Sequence, residues 1–174
     1  MVTIIIFGNL EDKKLTNLLI NNLEGRYNIF YYSLNKIISY MVKDSNKDIL
    51  IIESSSINFI DSSNSIVIFK NNIKNIINLN IESKTNIIVF SQNINAIKFL
   101  NKSKLKNIIT FGYKSTDTLT SSSFDGEKKT ICLQRQIYNI YGEPIEPFEF
   151  TVNDDNDILT LLPIYGVKIL LGDY

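Results

Sequence analysis

Residues 2–23 read VTIIIFGNLEDKKLTNLLINNL. Residues 3–7 are a continuous β-branched and aromatic run, the kind of strand that is buried on both faces in a parallel sheet. Leu15, Leu18, Leu19, Ile20 and Leu23 then recur at helical spacing, and Gly25 ends the helix. A strand, a loop opening on Gly8 and a helix therefore begin the chain. Working outward, the same alternation continues. NIFYYS at 28–33 is a second strand, and LNKIISYMVKD at 34–44 reads as a short helix with Leu34, Ile37, Ile38 and Met41 on one side. DILIIESSS at 48–56 is a third strand, apolar until it ends in the acid Glu53. SIVIFKNN is a fourth, followed by a helix over 73–81. TNIIVFSQN is a fifth, followed by a helix through INAIKFLNK, and KNIITFGY is a sixth. Such an order predicts an α/β fold, with a mostly parallel sheet flanked by helices over residues 1–114. The strands end in small or polar residues (Gly8, Ser54, Asn71, Ser91, Gly112), and that edge is where open α/β sheets bind ligands.

After about residue 115 the helical period disappears. Strand-like runs alternate with turn signals, DG at 125–126, YGEP at 141–144 and NDDND at 153–157. Residues 115–174 are expected to form an antiparallel β extension. No linker or internal repeat divides the 174 residues, so one domain is expected.

Composition removes many chemistries. There is no His, which excludes Ser-His-Asp and Cys-His catalysis, His-ligated zinc and a His-based pH switch. Cys132 is the single cysteine, so no internal disulfide forms, and beside a predicted strand it reads as buried filler. Eighteen basic and 18 acidic residues give zero formal net charge, with no footprint for nucleic acid or an anionic membrane. No apolar run reaches the roughly 18–20 residues of a membrane span, and the N-terminal run lacks the basic flank of a signal peptide. A cytoplasmic setting is expected.

The loop at 8–16, GNLEDKKLT, carries the functional question. A phosphate-binding loop needs glycines so that backbone N–H groups point inward, a lysine for the phosphate oxygens and a hydroxyl for Mg²⁺. With Gly8 first and Lys13-Lys14 as the lysine pair, the second glycine and the hydroxyl are both lost. The plain reading is a strand-to-helix turn with Glu11 and Asp12 in the first helical turn, favoured there by the helix dipole. The alternative is a residual anion site using Gly8 with Lys13 or Lys14.

The chain as a whole resembles the central, ATP-binding domain of the Mur ligases and the related folylpolyglutamate synthetases. That domain opens with a strand, GTNGKTT and a leucine-bearing helix; here Gly8 takes the first glycine and Leu18, Leu19 and Leu23 the leucines. In that register Glu11 replaces the second glycine, Asp12 the lysine and Lys13 the hydroxyl. DILIIESSS resembles the family's strand ending in E-x-S-S, so the resemblance implies that Glu53 stands where active members support Mg²⁺. SIVIFKNNI resembles the strand ending in T-N-I, with Ile76-Ile77 near the family's Asp-His. IIVFSQN resembles the strand before N-x-D-D, with Gln92 and Asn93 uncharged, and IITFG resembles v-t-F-G. LPIYGVKIL resembles l-P-G-x-H-N, with Lys168 at the His. The family's flanking N- and C-terminal domains have no counterpart in these residues.

The resemblance implies a P-loop-NTPase-like sheet with a degenerate phosphate loop. It implies a bacterial, non-catalytic domain without cofactor that works through an unidentified protein partner, linked to cell-wall metabolism. A small-ligand or nucleotide-binding module, or a ligase subunit completed by a partner chain, is the alternative. Glu53 is either a relict metal ligand or a polar residue at the wet edge of the sheet. Asp154, Asp155 and Asp157 lack the spacing of a calcium loop and read as a turn. Lys102, Lys104 and Lys106 read as a solvated helix end. Tyr31, Tyr32, Tyr138, Tyr141, Tyr165 and Tyr174 fit strand packing as well as a binding surface.

Overall fold

Strand β1 (Val2–Phe7) has a parallel neighbour on each side, β4 (Asp48–Ser54) and β6 (Ser65–Phe69). This computed structural model describes all residues except 35, 44, 63, 72, 74, 75, 77, 78, 83, 126 and 127, and the side chains of 124 and 125. The remaining strands are β2 (Asn28–Ser33), β3 (Lys36–Tyr40), β5 (Phe59–Ile60), β7 (Asn80–Ile81), β8 (Asn86–Phe90), β9 (Ile108–Phe111), β10 (Leu119–Asp125), β11 (Lys128–Leu133), β12 (Ile137–Tyr138), β13 (Pro144–Ile145) and β14 (Phe148–Asn153). The helices are α1 (Lys14–Leu23), α2 (Ile94–Lys102) and α3 (Ile158–Leu170). The main sheet has ten strands in the order β14-β11-β10-β9-β8-β6-β1-β4-β2-β3. Neighbours from β2 through to β10 are parallel; β3 pairs antiparallel with β2 at one edge, and at the other β11 pairs antiparallel with β10 and β14 antiparallel with β11. The α/β reading, with its mostly parallel core and antiparallel strands beyond residue 115, matches this sheet.

Period-2 alternation sends the residues of β1 to two cores. Ile4 and Ile6 join Leu19 and Leu23 of α1 and Leu161 and Leu162 of α3 on one face. Ile5 and Phe7 join Val67, Phe69 and Val89, with Ala96 and Leu100 of α2, on the other. No described helix is long and apolar enough to cross a membrane.

Three local readings differ from the structure. Residues 36–40 of the expected helix over 34–44 form β3, hairpinned onto β2 with Ser33 opposite Lys36 and Leu34 at φ 51°. The spacing of Leu34, Ile37, Ile38 and Met41 fits a helix, but Ile37, Ile38 and Tyr40 are strand formers, and pairing with β2 decides between the two. The expected helix over 73–81 falls partly outside the described residues. Its end, Asn80–Ile81, is β7, a parallel partner of β5, while Ile73 and Leu79 are buried in the second core.

The third difference is α3, a 13-residue helix inside the segment read as strands and turns. Its sequence, ILTLLPIYGVKIL, is apolar around its circumference, so no 3.6-residue stripe marks it. Such a helix must be covered on most sides, and Ile158, Leu161, Leu162, Ile164, Val167, Ile169 and Leu170 are buried. Asp157 caps it, accepting from the Thr160 N–H at 3.1 Å.

The connection from β2 to β4 carries the hairpin strand β3 rather than a helix. The face of β2 and β4 opposite α1 is therefore thinly covered. Phe30, Leu50 and Ile52 are half-buried there, and Tyr32 is exposed.

Candidate functional site

Three chain segments converge where β1 ends. The Gly8 N–H donates to the Ser54 carbonyl at 3.0 Å, and the Lys70 N–H donates to the Phe7 carbonyl at 2.9 Å. The ends of β4, β1 and β6 are thus held side by side. The chain adds β2 and β4 on one side of β1 and β6, β8 and β9 on the other, so this is the point where strand order reverses. In open α/β sheets that crevice is the ligand site.

Its centre is Glu53, last but one in β4 and only 1% exposed. Glu53 faces α1 because it alternates in phase with Ile49 and Ile51. Oε1 accepts from Thr16 Oγ1 at 2.8 Å and from Lys70 Nζ at 2.6 Å. Oε2 accepts from the Tyr31 hydroxyl at 2.5 Å and from Lys13 Nζ. Lys13 Nζ also donates to Tyr31 Oη and Ser33 Oγ, each at 3.2 Å. Burial by itself pushes the Glu53 carboxyl up, but the bonds from Lys13, Lys70, Tyr31 and Thr16 outweigh it and hold the pKa at about 2. Burial likewise pushes Lys13 down, and its bonds to Glu53 and Tyr31 more than reverse this. Both groups are charged throughout the neutral range, and a carboxylate so acidic makes a poor general base.

Lys70 sets the character of the loop. Its Nζ donates to the Asn9 carbonyl at 2.6 Å, to the Asp12 carbonyl and to Glu53. All three ammonium protons are used. A phosphate loop turns N–H groups inward around an anion; this loop turns two carbonyls inward around a cation. Gly8 permits the arrangement. Its φ is +149°, and a Cβ placed there would lie 2.7 Å from Lys70 Cβ. The Lys70 ammonium, with the Asn9 and Asp12 carbonyls turned towards it, sits where a phosphate loop would place inward N–H groups. A metal at Glu53 would compete with the two donors already bound to whichever carboxylate oxygen it took. Among the described residues no three His, Cys, Asp or Glu side chains gather as a metal site.

The structure separates the two candidate lysines. Lys13 turns in to Glu53, whereas Lys14 pairs with Asp157 at 2.7 Å, joining the starts of α1 and α3 through two side chains that are more than half exposed. A small cavity of about 70 Å³ lies between Asp12, Lys14, Lys70, Asn71 and Thr160. Helix α1 starts at Lys14, so Glu11 and Asp12 precede it instead of filling its first turn. Asp12 Oδ1 accepts from the Lys14 N–H at 3.2 Å, and Asn9 Oδ1 from the Glu11 N–H at 3.1 Å. Nor is Glu53 at a wet edge, since Tyr31, Thr16 and both lysines cover it.

Neither Lys70 nor Thr16 is singled out from the sequence as a site residue, and Tyr31 stands there only among six tyrosines that fit strand packing or a binding surface. A signal for Lys70 existed. A lysine directly follows the apolar run SIVIF, next to the strand-end position that Glu53 holds two strands away. The other candidates lie apart from this network. Asp154 Oδ1 accepts from the Asn156 N–H at 2.8 Å in a turn. Lys102 lies in the last turn of α2. Lys168 sits over the Tyr165 ring on α3, at 4.9 Å. Cys132 is buried and donates to Glu149 at 3.1 Å, and burial pushes its thiol up, away from the reactive thiolate.

No protein-family model matches the chain, and no curated protein sequence does. Solved structures do. The chain aligns over 98% of its length with a murein peptide ligase from Psychrobacter arcticus, at TM-score 0.60 and 13% identity. It aligns over 98% of its length with the UDP-N-acetylmuramate:L-alanyl-γ-D-glutamyl-meso-diaminopimelate ligase from Neisseria meningitides, at TM-score 0.59 and 10% identity. The aligned parts are 44% and 61% of those two chains, so this chain spans less than two thirds of either. The likeness is one of fold, and the fold is Mur-ligase-like.

Proposed function

We propose that this is a non-catalytic Mur-ligase-like domain that acts by contacting a protein in cell-wall metabolism. One observation carries the reading: the Lys70 ammonium is bound by Glu53 and by the Asn9 and Asp12 carbonyls at the crevice beside β1. Phosphoryl transfer relies on positioning phosphate and neutralising its charge. Here the acid, the loop and the lysine neutralise one another. The cell-wall setting is supported by the murein ligases that share the fold. Calorimetric titration with ATP and Mg²⁺ tests the reading. The expected result is no binding heat up to millimolar nucleotide; micromolar affinity, lost in Glu53→Gln, would overturn it.

A second reading, a small-ligand module, has one observation in its favour. A cleft of about 620 Å³ lies between α1 and the β2–β3 hairpin, lined by Lys13, Asn17, Tyr31, Lys36, Ile38 and Tyr40. Its volume suits a small molecule. However, Lys13 already directs all three of its protons to Glu53, Tyr31 and Ser33.

A further inference from the structure

Strand β3 closes the main sheet at one edge, and among the described residues no strand pairs with its outer side. Edge strands present unpaired N–H and C=O groups, and monomers protect them with charges, proline, bulges or coverage. β3 reads KIISY, with no proline and a single charge at its first residue. Large apolar side chains are exposed around it, among the exposed Lys36, Ser39 and Lys43. Ile37 is 75% exposed, Met41 67%, Leu34 64% and Tyr32 44%. Tyr32 and Ile37 are cross-strand partners on the face away from α1, while Leu34 lines the cleft on the α1 side; exposed apolar side chains at a sheet edge suit an interaction site.

The hairpin register says which backbone groups are free. Ser33 and Lys36 flank a two-residue connection and form the closing pair. In such a hairpin the closing pair is hydrogen-bonded, and pairs alternate along the ladder. Lys36, Ile38 and Tyr40 therefore bond inward to β2, while Ile37 and Ser39 turn their N–H and C=O outward. A partner must supply an extended strand with two matching residues at the same spacing.

We infer that the partner is a second copy of this chain, joined by antiparallel pairing of β3 with β3 about a two-fold axis at Ile38. That register sets Ile37 opposite Ser39 of the second copy, and Ser39 opposite its Ile37, so all the outward groups are used. Lys36 comes opposite Tyr40, a cation beside an aromatic ring. The two Ile37 side chains become diagonal neighbours on the bare face, within reach of each other and of the two Tyr32 rings. Net charge is zero, so two copies do not repel as wholes. The opposite edge is chemically different. β14 alternates Glu149, Thr151 and Asn153 as its exposed residues, and pairing β3 with β14 would be heterologous, building a ring or a filament and not a two-fold dimer. Pairing β3 with itself closes. None of these residues bonds to Glu53, so the inference is independent of how that site is read.

The test is the mass of the full chain in solution by sedimentation velocity and light scattering, from micromolar to about 100 µM. The expected mass is twice the 20.0 kDa of one chain. Ile37→Lys places like charges across the axis and Ser39→Pro removes an outward N–H. Both sites are exposed, and both variants should sediment as folded monomers, with unchanged circular dichroism. A wild type that stays monomeric at the highest concentration overturns the inference. So does a dimer that neither variant dissociates, since its interface lies elsewhere.

Discussion

Lys70 Nζ lies 2.6 Å from Glu53 Oε1, and the two side chains are 2% and 0% exposed. The residues flank β1 from opposite sides, one just beyond β6 and one near the end of β4. Their ion pair crosses the end of β1, beside the small cavity that Lys70 lines. Each would be costly to bury alone, and Lys13, Tyr31 and Thr16 complete the carboxylate's partners.

Removing one member should expose that cost. Lys70→Met leaves the Asn9 and Asp12 carbonyls without their donor and Glu53 with one cation fewer. Breaking a buried pair in this way costs about 3–5 kcal/mol. Urea unfolding of Lys70→Met should show a loss in that range. Adding Glu53→Gln should cost less than the sum of the two single losses, because the sites share a network. Additive losses would mean that the pair does not act as a unit.

Acid should weaken the fold through Glu53. Its folded pKa is depressed to about 2 from the ordinary 4.5. The stabilisation is therefore fully present above about pH 4.5 and is lost as pH falls towards 2. The shift corresponds to roughly 3 kcal/mol. Unfolding free energies measured at pH 7 and pH 2.5 should differ less in Glu53→Gln than in the natural chain. An equal difference in both would assign the acid sensitivity to other carboxylates.

Gly8→Ala should destabilise by about 2–4 kcal/mol, combining a strained positive φ with overpacking against Lys70. Gly25→Ala is the matched control. Its φ is also positive, at +86°, but nothing lies within 4 Å of the added Cβ, so it should cost only about 1 kcal/mol. Thermal melts of the two variants separate steric contact from backbone strain; equal losses would remove Lys70 from the explanation.

Replacing residues 8–14 with GTNGKTT asks whether the loop alone closes the site. The fold should survive, because Leu18, Leu19 and Leu23 keep their places on α1, and melting should stay cooperative. ATP should bind no tighter than about 1 mM, or about −4 kcal/mol, since Lys70 still occupies the space beside Glu53. Paired calorimetric titrations at one Mg²⁺ concentration check this. Tighter binding by the natural loop would identify Lys13 and Lys14 as a working site of another kind.

Much of this was legible in the residues themselves. Two-sided burial of β1, β6 and β8 shows as unbroken apolar runs, which point to a parallel sheet although residues 36–40 and 80–81 of the expected helices are strands. The acids at 11 and 12 mark a loop that departs from the glycine-rich phosphate pattern, and Glu53 stands out as an acid near the end of an apolar strand. These are local signals, carried by neighbours in sequence.

Other features depended on contacts between distant residues. Residues 36–40 satisfy a helical spacing and a strand propensity at once, and only β2 alongside decides for the strand. Helix α3 hides its period because it is covered on most sides, which is a property of its surroundings. The network at Glu53 joins Lys70 to Asp12 across 58 positions and Lys13 to Glu53 across 40. No local pattern encodes such pairs. They exist because the parallel sheet sets the ends of β4, β1 and β6 side by side, close enough for opposite charges to neutralise each other out of water.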